Sequence, residues 1–257
     1  MTGRISLVTG TSGGLGLEFV SQLSRNPDDL VIALSRNPFS SLKLQALASE
    51  RKNVVLVKGD TTDDSSMRVA VEEVEKNIAG KGIDLLIANA GAASPSTTQR
   101  GAYEMAVEPF STGPLGDFTN LFEVNVVGSI RTVNSFLPLV KKGNEKKIIL
   151  ISTTLASCTY VDVNNPMDNS IGSFGPYSVS KAALNMAARK YAVELNKDGI
   201  TVLNVAPGWI KTNLSGADIA PLEPTPAIEK VIKKIDTVTL NDSGKFIDAS
   251  EDKVVPF

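Results

Sequence analysis

The chain has 257 residues, 42% hydrophobic and 21% charged, and its 26 basic and 28 acidic side chains leave a net charge of −2. Ample apolar content with little net charge argues against extended disorder, and a pI near 5.4 argues against a basic nucleic-acid-binding surface. A single cysteine, Cys158, excludes an internal disulfide or cysteine-cluster metal site, and the absence of histidine removes serine–histidine hydrolysis, histidine general bases and histidine-ligated zinc.

The first strand-like run, Ile5 to Thr9, starts too early to follow a signal peptide, and Thr2 after Met1 rules out an N-terminal glycine for acylation. No apolar run reaches the roughly 18 residues of a membrane span, so a reducing cytoplasm is the expected setting, with no membrane or nucleic acid as partner. Further short apolar runs follow at Leu30 to Ser35, Asn53 to Gly59, Leu85 to Asn89, Lys147 to Ser152 and Thr201 to Val205, with Gly244 to Ile247 as a seventh. Each is near-continuously apolar, as strands buried on both faces of a parallel sheet are. Helical spacing separates them, as in Leu15, Phe19 and Leu23 after the first run, or Leu121, Val124, Val127 and Ile130 before the fifth. The expected fold is α/β: a single doubly wound Rossmann domain over residues 1–257, with a mostly parallel seven-stranded sheet and helices on both faces. Two segments read as long loops, 92–116 after the fourth strand and 207–226 after the sixth. Both leave the carboxyl ends of strands, where ligands bind in such sheets.

The first strand runs through Thr9-Gly10-Thr11-Ser12-Gly13-Gly14-Leu15-Gly16 into a helix. Glycines allow a tight turn and a close approach to a pyrophosphate, whose charge is favoured by the N–H groups at a helix start. Placed here, the TGxxxGxG spacing resembles the short-chain dehydrogenase/reductase family. Further along stand the family's Asn-Ala-Gly as Asn89-Ala90-Gly91, its aspartate after the third strand as Asp60, its Tyr-x-x-x-Lys as Tyr177 to Lys181, and its Pro-Gly loop as Pro207-Gly208-Trp209-Ile210-Lys211-Thr212. That last loop, the prolines after it and Gly244-Lys245-Phe246 are similar to the small carbonyl reductases that include sniffer and C-factor proteins.

The resemblance implies a nicotinamide cofactor held by Gly10, Ser12, Gly14, Leu15, Gly16, Asp60, Asn89, Ala90, Gly91, Tyr177, Lys181, Pro207, Gly208, Ile210 and Thr212. It implies Tyr177 as the acid that protonates a carbonyl. A tyrosine titrates near 10, and the charge of Lys181, one helical turn on, is expected to bring it down toward working pH. Asn125 matches the family asparagine that holds a water in the proton relay. The family's catalytic serine is usually the second of a Ser-Ser pair; here the pair is Ser152-Thr153, so Thr153 takes the position and adds a methyl that restricts χ1.

Between Thr153 and Tyr177 the chain is longer than the family commonly is. Val163 to Asn169 reads either as a loop beside the substrate cleft or as an inert insertion. After the second strand there is no carboxylate to accept from an adenosine ribose, and Arg36 offers a guanidinium suited to a 2′-phosphate. NADP(H) is therefore the expected cofactor, with no metal. The expected activity is reduction of a ketone or aldehyde, or the reverse oxidation. The rival reading is a cofactor-binding sensor with little chemistry, and an epimerase is disfavoured by the short stretch after Thr212. Ala92, Ala93, Tyr160, Trp209 and Leu214 hint at an apolar substrate pocket, and each reads equally as a packing or rim residue. By resemblance, pairing through the helices flanking the fifth strand implies a homodimer or homotetramer.

Overall fold

The near-continuous apolar runs form the strands of one sheet. In the computed structural model, which describes residues 3–93, 115–161, 174–212, 214 and 220–257, they are β1 (Ile5–Thr9), β2 (Leu30–Ser35), β3 (Val54–Lys58), β4 (Leu85–Ala88), β5 (Lys147–Ile151), β6 (Thr201–Ala206) and β7 (Phe246–Asp248). A two-residue β8 (Lys253–Val254) pairs antiparallel with β7, so among the described residues the sheet has eight strands rather than the expected seven. Both β8 residues are exposed, and a strand that short and charged has no periodicity to read.

The strand order is β3-β2-β1-β4-β5-β6-β7-β8, parallel except at the β8 edge. Helices α1 (Gly14–Leu23), α2 (Leu42–Glu50) and α7 (Pro224–Thr237) lie on one side, α3 (Asp64–Ile78), α5 (Gly128–Lys141) and α6 (Gly175–Leu195) on the other. Strand side chains alternate between these layers. Leu86, Ile148 and Leu150 pack with Phe136, Leu184 and Ala188, whereas Ile87, Ile149 and Ile151 pack with Phe19, Val20, Ile228 and Val231. Both faces are thus apolar, which is why the strands read as continuous rather than alternating runs.

A further helix, α4 (Leu115–Phe122), leads into α5 through a π turn at Glu123–Val127. The order of strands reverses between β1 and β4, whose carboxyl ends open a crevice at that switch point. Most of the loop 92–116 and all of Val163 to Asn169 lie outside the described residues.

Candidate active site

The carboxyl ends of the strands surround a cavity of about 1100 Å³. Every residue expected to bind cofactor lines it, together with Thr153; Asn125 lies behind its wall.

At the β1–β4 end the wall is mostly backbone. Thr9 is buried, and its Oγ1 accepts from the N–H groups of Asn89 at 3.1 Å and Ala90 at 3.0 Å, while Asn89 Nδ2 donates to the Thr9 carbonyl at 2.8 Å. Asn89 therefore ties β4 to the start of the glycine turn. A Cβ on Gly10, whose φ is +74°, would lie 2.8 Å from Ala90 Cα, and one on Gly16 would lie 2.2 Å from the Gly10 carbonyl oxygen. Those two glycines permit the close approach of strand and helix. Gly13 differs: a Cβ there would meet nothing within 4 Å, because this part of the turn faces the open cavity. Ser41 Oγ fixes the turn from outside by donating to the Ser12 carbonyl at 2.8 Å.

Arg36 is exposed at the cavity rim beside Asn37 and Ser40, with no ion-pair partner among the described residues. Asp60 lines the cavity with Thr61 and Thr62, and its Oδ1 accepts from Thr62 N and Oγ1 at 2.9 and 2.8 Å. An open glycine cradle at a helix start, an exposed guanidinium at the rim and a cavity of about 1100 Å³ fit a phosphorylated dinucleotide. Across the cleft, Pro207 to Thr212 arches over the site, held to Leu222 through Lys211 N at 2.9 Å and Trp209 O at 3.2 Å.

At the β5 end the wall is built of side chains. Tyr177 and Lys181 lie on the first turns of α6, and Lys181 Nζ donates to the Ile151 carbonyl at 2.9 Å while standing 5.8 Å from the Tyr177 ring centre. Thr153 lines the cavity half-buried, its Oγ1 accepting from Leu155 N at 3.3 Å, which leaves its own hydroxyl proton to donate. The hydroxyl of Ser152, which lines the cavity beside Thr153 and Thr154, is bonded to Asn185 Oδ1 at 2.6 Å.

Asn125 sits in the π turn, fully buried. Its Oδ1 accepts from Ala92 N at 2.8 Å, and its Nδ2 donates to Ala92 O and to Ser180 Oγ, both at 3.0 Å. No hydrogen bond joins it directly to Lys181 among the described residues. Gly91 lies between them: a Cβ there would be 3.2 Å from Asn125 Oδ1 and 3.4 Å from Lys181 Nζ.

A sequence profile of the short chain dehydrogenase family matches residues 4–221. The chain belongs to the short-chain dehydrogenase family. Short-chain dehydrogenase/reductase AacuF of Aspergillus aculeatus is 38% identical over 219 residues, covering 84% of this chain and 76% of that protein. The NADPH-bound carbonyl reductase from chicken fatty liver superposes with a TM-score of 0.85 at 30% identity, over 100% of both chains. Carbonyl reductase Sniffer of D. melanogaster has the same TM-score of 0.85 at 23% identity and is alike in fold.

The electrostatics of this short-chain dehydrogenase run against one expectation. Burial pushes the Tyr177 phenol up to about 12 and the Lys181 ammonium down to about 8. Desolvation disfavours the charged form of each group and is the cause of both shifts. The apolar pocket is otherwise as expected: Ala92, Ala93, Trp209 and Leu214 line the cavity. Tyr160 does not. It packs against Ala206, Phe246 and Val255, with Lys253 Nζ 5.6 Å from its ring centre. The sequence reading missed the roles of Thr9, Ser180 and Asn185 and the lining residues Thr61, Leu155 and Phe174. Thr9 opens the glycine pattern, but nothing in spacing shows that its hydroxyl binds a strand brought next to it only by folding.

Proposed function

We propose that this short-chain dehydrogenase reduces a ketone or aldehyde with NADPH, Tyr177 protonating the carbonyl oxygen. The observation that carries this reading is that Tyr177, Lys181 and Thr153 share one cavity with the glycine turn and Arg36. When bound, the nicotinamide supplies the hydride. Thr153 orients the substrate by donating its hydroxyl to the carbonyl oxygen, where negative charge develops. A phenol whose pKa is pushed up to about 12 is protonated at neutral pH and so holds the proton that reduction of a carbonyl consumes. As the proton leaves, the fixed ammonium of Lys181 stabilises the phenolate. Asn125 holds Ala92 and Ser180 and thereby sets Gly91 against Lys181, fixing the path by which the proton is replaced.

Arg36 supports NADPH over NADH, since a guanidinium pairs with a 2′-phosphate and an acidic residue would repel it. The chicken carbonyl reductase, described as NADPH-bound, supports the same choice. We read residues 1–257 as one cofactor-binding and catalytic domain. No described helix is long and apolar enough to cross a membrane, which fits the cytoplasm as its place. Pairing into a homodimer or homotetramer is supported by Val179, Met186 and Val193, exposed along α6, and by Leu115 and Phe122, exposed on α4. The test is NADPH consumption with a reactive, unselective diketone. Turnover supports the reductase; tight cofactor binding with no turnover would replace it with the sensor reading.

A further inference from the structure

α6 reaches the end of β5 through two successive bonds. Lys181 Nζ donates to the Ile151 carbonyl at 2.9 Å, and one residue on, Ser152 Oγ donates to Asn185 Oδ1 at 2.6 Å. On its other side Ser152 N–H donates to the Val205 carbonyl of β6 at 2.8 Å. Tyr177, Lys181 and Asn185 are four residues apart in turn, so they form one stripe along α6. The first two are the proton-transfer groups.

Asn185 is only 1% exposed, and its neighbours on the helix, Leu184 and Ala188, are core residues. Its Nδ2 has no hydrogen-bond partner among the described residues, and neither has Oδ1 of the fully buried Asn204. Asn204 Nδ2 instead donates to the Asn185 backbone carbonyl at 3.3 Å. A buried polar atom left unpaired costs stability, so packing alone does not explain a carboxamide here. What the carboxamide does achieve is the bond to Ser152, the residue before Thr153.

We infer that Asn185 is a positioning residue for the carbonyl-binding hydroxyl. By engaging the Ser152 hydroxyl it fixes the end of β5 and leaves Thr153 as the hydroxyl presented to the substrate oxygen. This rests on the reductase reading, because it concerns how that reaction's substrate is oriented. Small displacements of an orienting group cost turnover steeply, on the order of 100-fold for about 1 Å.

The test compares wild type, Asn185→Leu, Ser152→Ala and the double variant, with NADPH and an unselective diketone. Asn185→Leu is expected to lower kcat at least about tenfold. The KM for NADPH stays within about twofold, a split that loss of structure would not produce. Ser152→Ala loses kcat to a similar degree, and the double variant is no worse than the poorer single one, because both remove the same bond. Wild-type kcat in Asn185→Leu, or losses that multiply in the double variant, would overturn the inference. If Asn185→Leu does not fold, an unchanged kcat in Ser152→Ala overturns it alone. A wild type without turnover would remove the reductase reading and this inference with it, whereas an active wild type with an active Asn185→Leu removes only the inference.

Discussion

The two ends of the cleft are made of different materials. At the β1–β4 end, backbone approaches backbone: Gly10 and Gly16 allow contacts that a Cβ would block, and Thr9 and Asn89 lace two neighbouring strands together. At the β5 end, side chains from α6 and the π turn reach across to strand carbonyls and to one another. The first arrangement suits a ligand whose phosphates are alike in every turnover. The second suits chemistry, where proton affinities and hydroxyl positions must be set individually, and it is correspondingly easier to alter without losing the fold.

Substitutions at the glycine turn put this contrast under the greatest strain. Gly16→Ala forces a Cβ to 2.2 Å from the Gly10 carbonyl oxygen and is expected to cost ~3 kcal/mol of stability or more, read by urea unfolding. Gly13→Ala, with open space around the added carbon, should leave the unfolding midpoint unchanged; a large loss there would mean the turn is packed, not open. Next in size, Arg36→Ala should weaken NADPH binding by about 2 kcal/mol, the worth of a charge-assisted hydrogen bond, while sparing NADH. Equal losses for the two cofactors, measured by titration, would remove the basis for NADPH preference.

The β5 end makes smaller predictions. Because the Tyr177 phenol lies at about 12, it contributes no titration in the working range, and Lys181 at about 8 sets the alkaline limb. Reduction is therefore expected to be level below about pH 8 and to fall above it as Lys181 loses its charge. The stability effect has the opposite sign: the lysine's pKa is lowered from 10.5 to about 8, so the unfolded chain holds more protons between those values and folding becomes more favourable as pH rises through them. Thr153→Ser, which removes only a methyl, should keep or modestly raise kcat; a loss would assign the methyl a packing role.

The same contrast governs what the sequence made legible. The β1–β4 end could be read because its parts are local: a strand, a glycine turn and a helix follow one another, and the apolar runs ended within a residue or two of the observed strands. β8 escaped because two exposed residues carry no pattern. At the β5 end, Tyr177 and Lys181 were visible as a helical pair, but their environment was not. Whether burial or charge prevails at Tyr177 depends on what packs around α6, and the shift ran opposite to the one inferred from Lys181 alone. Asn185 lay one turn further on the same stripe, yet its partner Ser152 comes from a strand that only the fold brings near. Tyr160, readable in the sequence as pocket or packing residue, belongs to the cluster of Phe246 and Val255.

The most direct test of the central claim is diketone-dependent NADPH oxidation by wild type and Tyr177→Phe, after showing that both bind the cofactor equally. The wild type should turn over and Tyr177→Phe should lose at least about 100-fold in kcat, the contribution of a positioned general acid. A Tyr177→Phe protein that turns over like the wild type would contradict the account.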